Sequence, residues 1–399
     1  MNKIKVVRAS LIQIYQRTIT ILKGKGENIY LNGDNNLYPN EIEAVISNSP
    51  TASRCAVMMA KYIAGEGVYI DNENVLLEYK DLPIVNKKKN YKITDIIEMA
   101  SRSIAKQKGA WFHISYGIVD GKIEPVSIDV IDYLKPRLSK EDTEDNMGKI
   151  YIKEWDNKSA TGDKKKDLWY YPFNANEDVI IAQIKSDNDG DVTNLAEAIK
   201  NYRGQVYYLN LTPEYVYAVS TINSVYNDAD TEDRISIYTN EQTRNGFLGK
   251  TVVLTQGLDP EESEQVQEDL KQFMGAENSS SIYHLDVEQT ETLDNVLKII
   301  QLKAQFDDKL FEVTDKRILR NIFGAFNNIP PALVLSSEGS LFGTNSETYN
   351  QMKVFYSEQT KEEREKLERA LYHMGFPIKI KPISIKEQNT VSNETANTI

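Results

Sequence analysis

The sequence predicts an α+β fold in which two long helices bracket a small β-α-β module. Three observations predict it. Two stretches without glycine or proline, 214–245 and 293–323, could each hold about 30 helical residues, roughly 45–50 Å at 1.5 Å per residue. Between them, strand-like runs at 251–255 and 281–287 flank Asp259-Pro260-Glu261-Glu262, a capping box that opens a short helix reaching about Met274. Ahead of them, residues 1–211 mix amphipathic helical periods with alternating strand-like runs.

The elements follow in order. Residues 4–21 alternate irregularly and end in Lys23-Gly24-Lys25-Gly26, read as a flexible break. After the turn cluster Asn32-Gly33-Asp34-Asn35-Asn36, Pro39 suits a first helical turn, with Ile42, Val45 and Ile46 on one face. Ser49 as N-cap and Pro50 at the next position start a second helix. Its stripe runs through Ala52, Cys55, Ala56, Met59, Tyr62 and Ile63, and Gly65 ends it. Residues 92–106 read as a helix through Ile93, Ile96, Ile97, Ala100 and Ile104. Residues 111–119 and 122–128 read as a hairpin around Asp120-Gly121. A polar stretch, 139–147, precedes strands at 149–155 and 168–173, and the loop between these carries Lys164-Lys165-Lys166, a solvated tip. Thr212-Pro213 opens the first long helix and Gly246 closes it. After the second come Ile329-Pro330-Pro331 and a polar loop, 336–343. Thr344 and Glu347 then form a capping box for a helix to about Met374, 377–385 is a last strand, and 386–399 is a polar tail expected to be disordered.

Composition excludes several classes. The 399 residues are 40% hydrophobic and include 23 tyrosines, enough for a real core and too much for wholesale disorder. With 47 basic against 59 acidic residues the net charge is −12, which disfavours clamping of nucleic-acid phosphates. A lone Cys55 excludes a disulfide framework and points to a reducing interior. With three histidines scattered at 113, 284 and 373, no Cys/His zinc site is available. No apolar run approaches the ~20 residues of a membrane span, and Lys3, Lys5, Arg8, Arg17 and Lys23 interrupt any signal-peptide core. The reading is of an acidic, soluble, intracellular chain of several parts.

No motif carries catalysis. Gly246-Phe247-Leu248-Gly249-Lys250-Thr251 has two residues where a phosphate loop needs four, with a helix before it and a strand after it. Asp187, Asp189 and Asp191 imitate the start of a calcium loop, but Val192 and Ala198 stand where glycine and glutamate are required. Cys55, on an apolar stripe, and His113, in a strand beside Trp111, read as core. The cluster Asp228, Asp230, Glu232 and Asp233 falls midway along the first long helix. The second carries Lys298, Lys303, Lys309, Lys316, Arg317 and Arg320 among Asp307, Asp308 and Glu312. Two helices so incompletely apolar cannot bury enough against each other alone, and neighbouring copies in a ring would complete the burial.

This order of parts resembles the portal (connector) protein of tailed double-stranded-DNA bacteriophages. Tyr38-Pro39 with Ser49-Pro50 through Gly65-Glu66-Gly67 is similar to that family's N-terminal wing helix ending in a Gly-x-Gly turn. Leu211-Thr212-Pro213 through Arg244-Asn245-Gly246 resembles the first stem helix, and Ile322-Phe323-Gly324 through Ile329-Pro330-Pro331 the element after the second. Thr344-Asn345-Ser346-Glu347 resembles the start of the helix beyond the tunnel loop. The series covers about 350 of the 399 residues. It departs from the family in the three residues between Phe326 and Pro330 and in a short C-terminal tail, which leaves a reduced crown or none.

The resemblance implies an α+β wing (1–211), stem helices at 212–246 and 293–328, a clip (247–292), a tunnel loop (329–345), and a C-terminal helix and strand (346–385) before the tail (386–399). It implies a ring, expected at twelve subunits, at one capsid vertex of a virion assembled in the host cytoplasm. That ring would be the channel for genome packaging and ejection, with no enzymatic activity, no cofactor and no membrane. Its partners would be further copies of itself, the large terminase subunit, the major capsid protein, a head–tail adaptor protein, and double-stranded DNA passing without sequence preference. An acidic wall would repel the phosphates and let DNA slide. Expected channel residues are Ser336, Ser337, Glu338, Gly339, Ser340, Leu341, Phe342 and Gly343 in the loop, and Asp228, Asp230, Glu232, Asp233, Lys298 and Lys309 on the stem. Gln256, Glu262, Glu264 and Gln267 would meet a partner at the clip. The alternative is a ring-forming connector or scaffold of a virion that passes no DNA.

Overall fold

A computed structural model describes residues 29–70, 76–140, 148–155, 168–190, 194–244, 250–256, 282–287, 297–302, 308–335 and 346–384. The first two helices, α1 (Tyr38–Asn48) and α2 (Pro50–Ala64), are separated at Ser49, whose hydroxyl oxygen accepts the Ala52 N–H at 3.1 Å. One donor left open by the helix start is thereby satisfied, and the ring of Pro50 removes another. The buried stripe of α2 is the expected one, from Ala52 and Cys55 to Tyr62 and Ile63. Gly65 ends it at φ +70, where a Cβ would stand 2.2 Å from the Lys381 carbonyl oxygen, so no other residue fits.

The chain then forms β1 (Val68–Ile70), the antiparallel pair β2 (Ile84–Asn86) and β3 (Tyr91–Lys92), and α3 (Ile93–Gln107). Asp95 closes the start of α3 by accepting the Lys92 N–H at 2.8 Å. The hairpin is β4 (Gly109–Val119) with β5 (Lys122–Ile131), and Asp120 and Gly121 both adopt positive φ, as its two-residue turn requires. The strands β6 (Pro136–Leu138), β7 (Ile150–Ile152) and β8 (Leu168–Pro172), the helices α4 (Glu177–Asp187) and α5 (Leu195–Asn201), and β9 (Gln205–Asn210) complete this part. Its sheet runs β5-β4-β9-β8-β7-β6, antiparallel except for β8 beside β9. Alternation along β4 sends Ala110, Phe112 and Ile114 into the main core with α2 and α3, and sends Trp111 to the other face among Tyr133, Val206 and Tyr217.

Beyond β9 the structure corrects the sequence reading. The first long helix does not begin at Thr212: a short 3-10 turn, Thr221–Val225, leads into α6 (Tyr226–Arg244), 19 residues and about 28 Å. Residues 212–220 are held to the sheet instead. The buried Tyr217 hydroxyl donates to the Tyr30 carbonyl (2.7 Å) and accepts the Leu138 N–H (2.8 Å), and the Ala218 N–H reaches the Tyr208 hydroxyl at 2.7 Å. Absence of glycine and proline permits a helix; these buried bonds prevent one. The second long helix is also shorter. Leu297–Leu302 is strand β12, and α7 is Asp308–Ala325, 18 residues. The apolar run Leu297, Ile299, Ile300 and Leu302 suits either state, and pairing with a neighbouring strand decides it.

That neighbour is β10 (Lys250–Gln256), which pairs in parallel with β11 (Ile282–Val287) on one side and antiparallel with β12 on the other. Among the described residues the module between the helices thus has three strands where two were expected. The expected helix at 259–274 lies outside the described residues, as do 1–28, the lysine loop, Gly246, Thr344 and the tail. After the short α8 (Pro331–Val334), the expected single C-terminal helix is two, α9 (Ser346–Gln359) and α10 (Lys361–His373). At the break, the Thr360 hydroxyl donates back to the Tyr356 carbonyl at 3.1 Å, a bond that bends helices. The last strand, β13 (Ile378–Ile380), is shorter than expected and pairs antiparallel with β1.

Candidate functional site

The helix pair α6/α7 and the strands at its far end form the candidate site. The four carboxylates near the start of α6 do not act as one cluster. Asp228 accepts from the Asn321 amide on α7 at 2.9 Å and stands 3.7 Å from the Arg317 guanidinium. Glu232 accepts from Ser49 Oγ, from Thr51 Oγ1 at 2.6 Å and from the Thr51 N–H at 3.3 Å, so it sits at the positive end of α2. Asp230 and Asp233 are both half-buried, and Asp230 pairs with Arg234 at 2.7 Å. Asp228 and Glu232, expected to face a channel, are therefore engaged inside the subunit. The cluster lies in the first two turns of α6 and not midway along it. Lys298 sits on β12, opposite Leu254, and not on a stem helix. Lys309 is the second residue of α7 and Gln256 the last of β10. Glu262, Glu264, Gln267 and the whole loop from Ser336 to Gly343 lie outside the described residues.

The roots of the two helices interlock. Ala229 of α6 and Ile318 and Ile322 of α7 are fully buried with Ile222. Where α7 ends, Asn327 and Asn328 both take positive φ, and Phe326 and Ile329 on either side are buried. The Asn327 amide donates to the Gln359 carbonyl (3.0 Å) and to Glu363 (2.9 Å), which also pairs with the Lys108 ammonium at the end of α3. Lys108 and Glu363 are only 12% and 8% exposed. One ion pair and one asparagine therefore fix the exit of α7 against α3 and α10. Nothing in the sequence pattern pointed to this junction; the signal available was the Asn327-Asn328 doublet, a pair that tolerates left-handed backbone.

Farther out the helices are less covered. Ile237 is 50% exposed and Val313 66% exposed, both on helices that lead toward the β10–β12 sheet. The groups weighed as nucleophile and base are internal. Burial, with the Glu232 charge adding, pushes the Cys55 thiol up to about 12. His113 Nε2 donates to the Arg203 carbonyl at 2.8 Å, and burial holds the imidazole below its ordinary value. Asp187, the first residue of the calcium-loop imitation, pairs with Arg203 at 2.9 Å. Among the described residues no group of three or more His, Cys, Asp or Glu could hold a metal ion, and no helix is long and apolar enough to cross a membrane.

No family model and no curated protein matches the sequence. In structure the chain is similar to a chain of the virion of a native gene transfer agent particle, at TM-score 0.48 and 13% identity, covering 89% of this chain and 86% of that one. It is similar to a chain in the neck of the native gene transfer agent particle computed with C12 symmetry, at TM-score 0.44 and 14% identity over 86% and 84%. It is also similar to an HK97 family phage portal protein from Corynebacterium diphtheriae, at TM-score 0.47 and 9% identity over 85% and 94%. All three TM-scores are below 0.5.

Proposed function

We propose that this chain is a structural subunit of a portal-type ring, built to let double-stranded DNA pass and not to catalyse. The observation that carries this is the rooted helix pair. α6 and α7 leave and rejoin the α+β part through Asp228–Asn321, Glu232 at the start of α2 and the Lys108–Glu363–Asn327 junction, and between them they carry the separate β10–β12 sheet. A helix pair fixed at its base, with Ile237 and Val313 uncovered, is completed by a like pair on each side, and repetition of one such contact closes into a ring. The ordered series of sequence elements supports the same reading, and a net charge of −12 suits a channel that must not hold phosphates.

In this reading the loop 336–343 borders the channel and the clip docks the packaging motor, with capsid protein around the wing and an adaptor below. The deciding measurement is native mass together with electron-microscopic class averages of the purified protein. The expected result is a ring far above the 45.5 kDa of one chain, with a central hole wide enough for a DNA duplex. A monodisperse single chain at micromolar concentration and moderate salt overturns the proposal, and a ring with no such hole moves it to the connector alternative. Deleting residues 339–342 should leave the ring intact while impairing DNA packaging or retention.

A further inference from the structure

A groove of about 580 Å³ runs between the outer faces of α2 and α3. Its floor is made of small side chains, Ala56, Ala60 and Ala64, and its walls carry Lys61, Arg102 and Lys106, the last also paired with Glu43 of α1, with one lining carboxylate, Glu98. Val57, at the lip, is 67% exposed. Past Gly65 the groove continues into a hollow of about 380 Å³ that shares Ala64 and Glu98 and adds Glu66 and Asp95. It therefore has an alanine floor, cations at one end and carboxylates at the other. Alanine floors let a helix approach closely, as larger side chains would not.

The chain carries a surface of the matching order. Along α9 and α10, Phe355, Glu358, Glu362, Glu365, Arg369 and Tyr372 recur at three- and four-residue steps across the Thr360 bend, and all six are exposed. Carboxylates occupy the middle, a cation follows, and an aromatic stands at each end, with Phe355 at 47% and Tyr372 at 60% exposure. Lys361 and Lys366 lie on Glu358 and Glu362 as i,i+3 and i,i+4 pairs, at 4.0 and 2.6 Å. Exposed pairs of this kind are worth only about 0.3–0.5 kcal/mol and can be exchanged for others.

The two surfaces of one copy cannot meet. α9 and α10 pack on α2 through Tyr62, whose ring meets Tyr356 at 4.9 Å and whose carbonyl accepts from Arg364 at 3.3 Å. At 100° per residue, Tyr62 lies well round the helix from Ala56, Ala60 and Ala64. A groove on one side and its complement on another make a head-to-tail contact, the type that repeats around a ring.

We propose that the groove between α2 and α3 takes the Phe355–Tyr372 stripe of a second copy, with Glu358, Glu362 and Glu365 against Lys61, Arg102 and Lys106, and Arg369 against the Glu98 end. The proposal rests on the ring reading and names its contact. The first test is charge exchange, read by native mass. Lys61→Glu with Arg102→Glu should convert rings to single chains, as should Glu362→Lys with Glu365→Lys, and the four changes together should restore most of the ring. Rings that survive the groove reversal overturn this contact and leave the ring reading standing. Loss without restoration overturns the stripe as occupant. A wild-type single chain fails the ring reading itself. Because reversed variants could unfold, a second test uses bismaleimide alkylation of Val57→Cys combined with Phe355→Cys, which this docking brings to the same end of the groove, the native Cys55 being fully buried. A ladder of covalent multimers is expected from the double variant and from neither single one, and no ladder from an assembled ring refutes the contact.

Discussion

Glu232 shows how much one carboxylate can organise. It accepts three hydrogen bonds from Ser49 and Thr51 and faces the start of α2, so one side chain of α6 satisfies donors that the helix start leaves open. Glu232→Ala removes the acceptor and strands those donors, at a cost of about 1–3 kcal/mol. The expected result is a lower midpoint in urea with an unchanged slope. An unaltered midpoint would show that water replaces the carboxylate. His113 gives a second residue-scale outcome. Its imidazole is held neutral by burial, with the Lys89 charge adding, against the opposing pulls of the Arg203 carbonyl to which it donates and of Asp129 across the strand pair. Since the folded value lies below the unfolded value of about 6.5, the unfolded chain takes up the proton first as pH falls. The stability tied to His113 is therefore full above 6.5 and declines as pH drops through that value toward the lower folded one. Unfolding free energy measured from pH 7.5 to 5 should fall for the native chain and fall less for His113→Gln.

At the scale of elements, the arrangement depends on how each helix is terminated. α3 ends on Lys108 in left-handed backbone, α7 ends on Asn327 and Asn328 in the same region, and the Lys108 and Asn327 side chains converge on Glu363 of α10. A buried pair with one partner removed leaves a charge without compensation. Lys108→Met alone should thus cost about 3–5 kcal/mol, and Lys108→Met with Glu363→Met should recover most of it. Chemical denaturation of the three variants checks the cycle, and additive losses would mean that the pair is not coupled. Legibility in the sequence varied with the kind of signal. α2 and the 120–121 hairpin were readable because cap, turn and apolar period agree locally. β12 was not, because Leu297–Leu302 has no local preference strong enough to oppose pairing with β10.

For the whole molecule, the helix pair is incomplete in one copy. Ile237 and Val313 have exposed surface that the single chain does not cover. Replacing both with aspartate should change the stability of the isolated chain by less than about 0.5 kcal/mol, as surface substitutions do. In the ring reading the same change places charges in the contact between copies, so the assembled mass should fall to that of one chain. Size-exclusion chromatography with light scattering separates the outcomes, and an intact ring would move the contact off these helices.

The sequence by itself determined the α+β class, the helix starts at Pro39 and Ser49-Pro50, the hairpin, the stripe of α2 with Cys55 inside it, and the order of helix, strand module and helix. Each of these rests on interactions within a few residues, so the local chain contains the whole cause. Where α6 and α7 begin was settled by tertiary contacts. Tyr217 finds Tyr30 and Leu138 across the sheet and keeps 212–220 out of α6, and β10 draws 297–302 out of α7. Tertiary contacts also divided the acidic cluster, giving Asp228 to Asn321 and Glu232 to the start of α2. Those partners lie about 90 and 180 residues away in the chain, and no periodicity or spacing carries information over that distance.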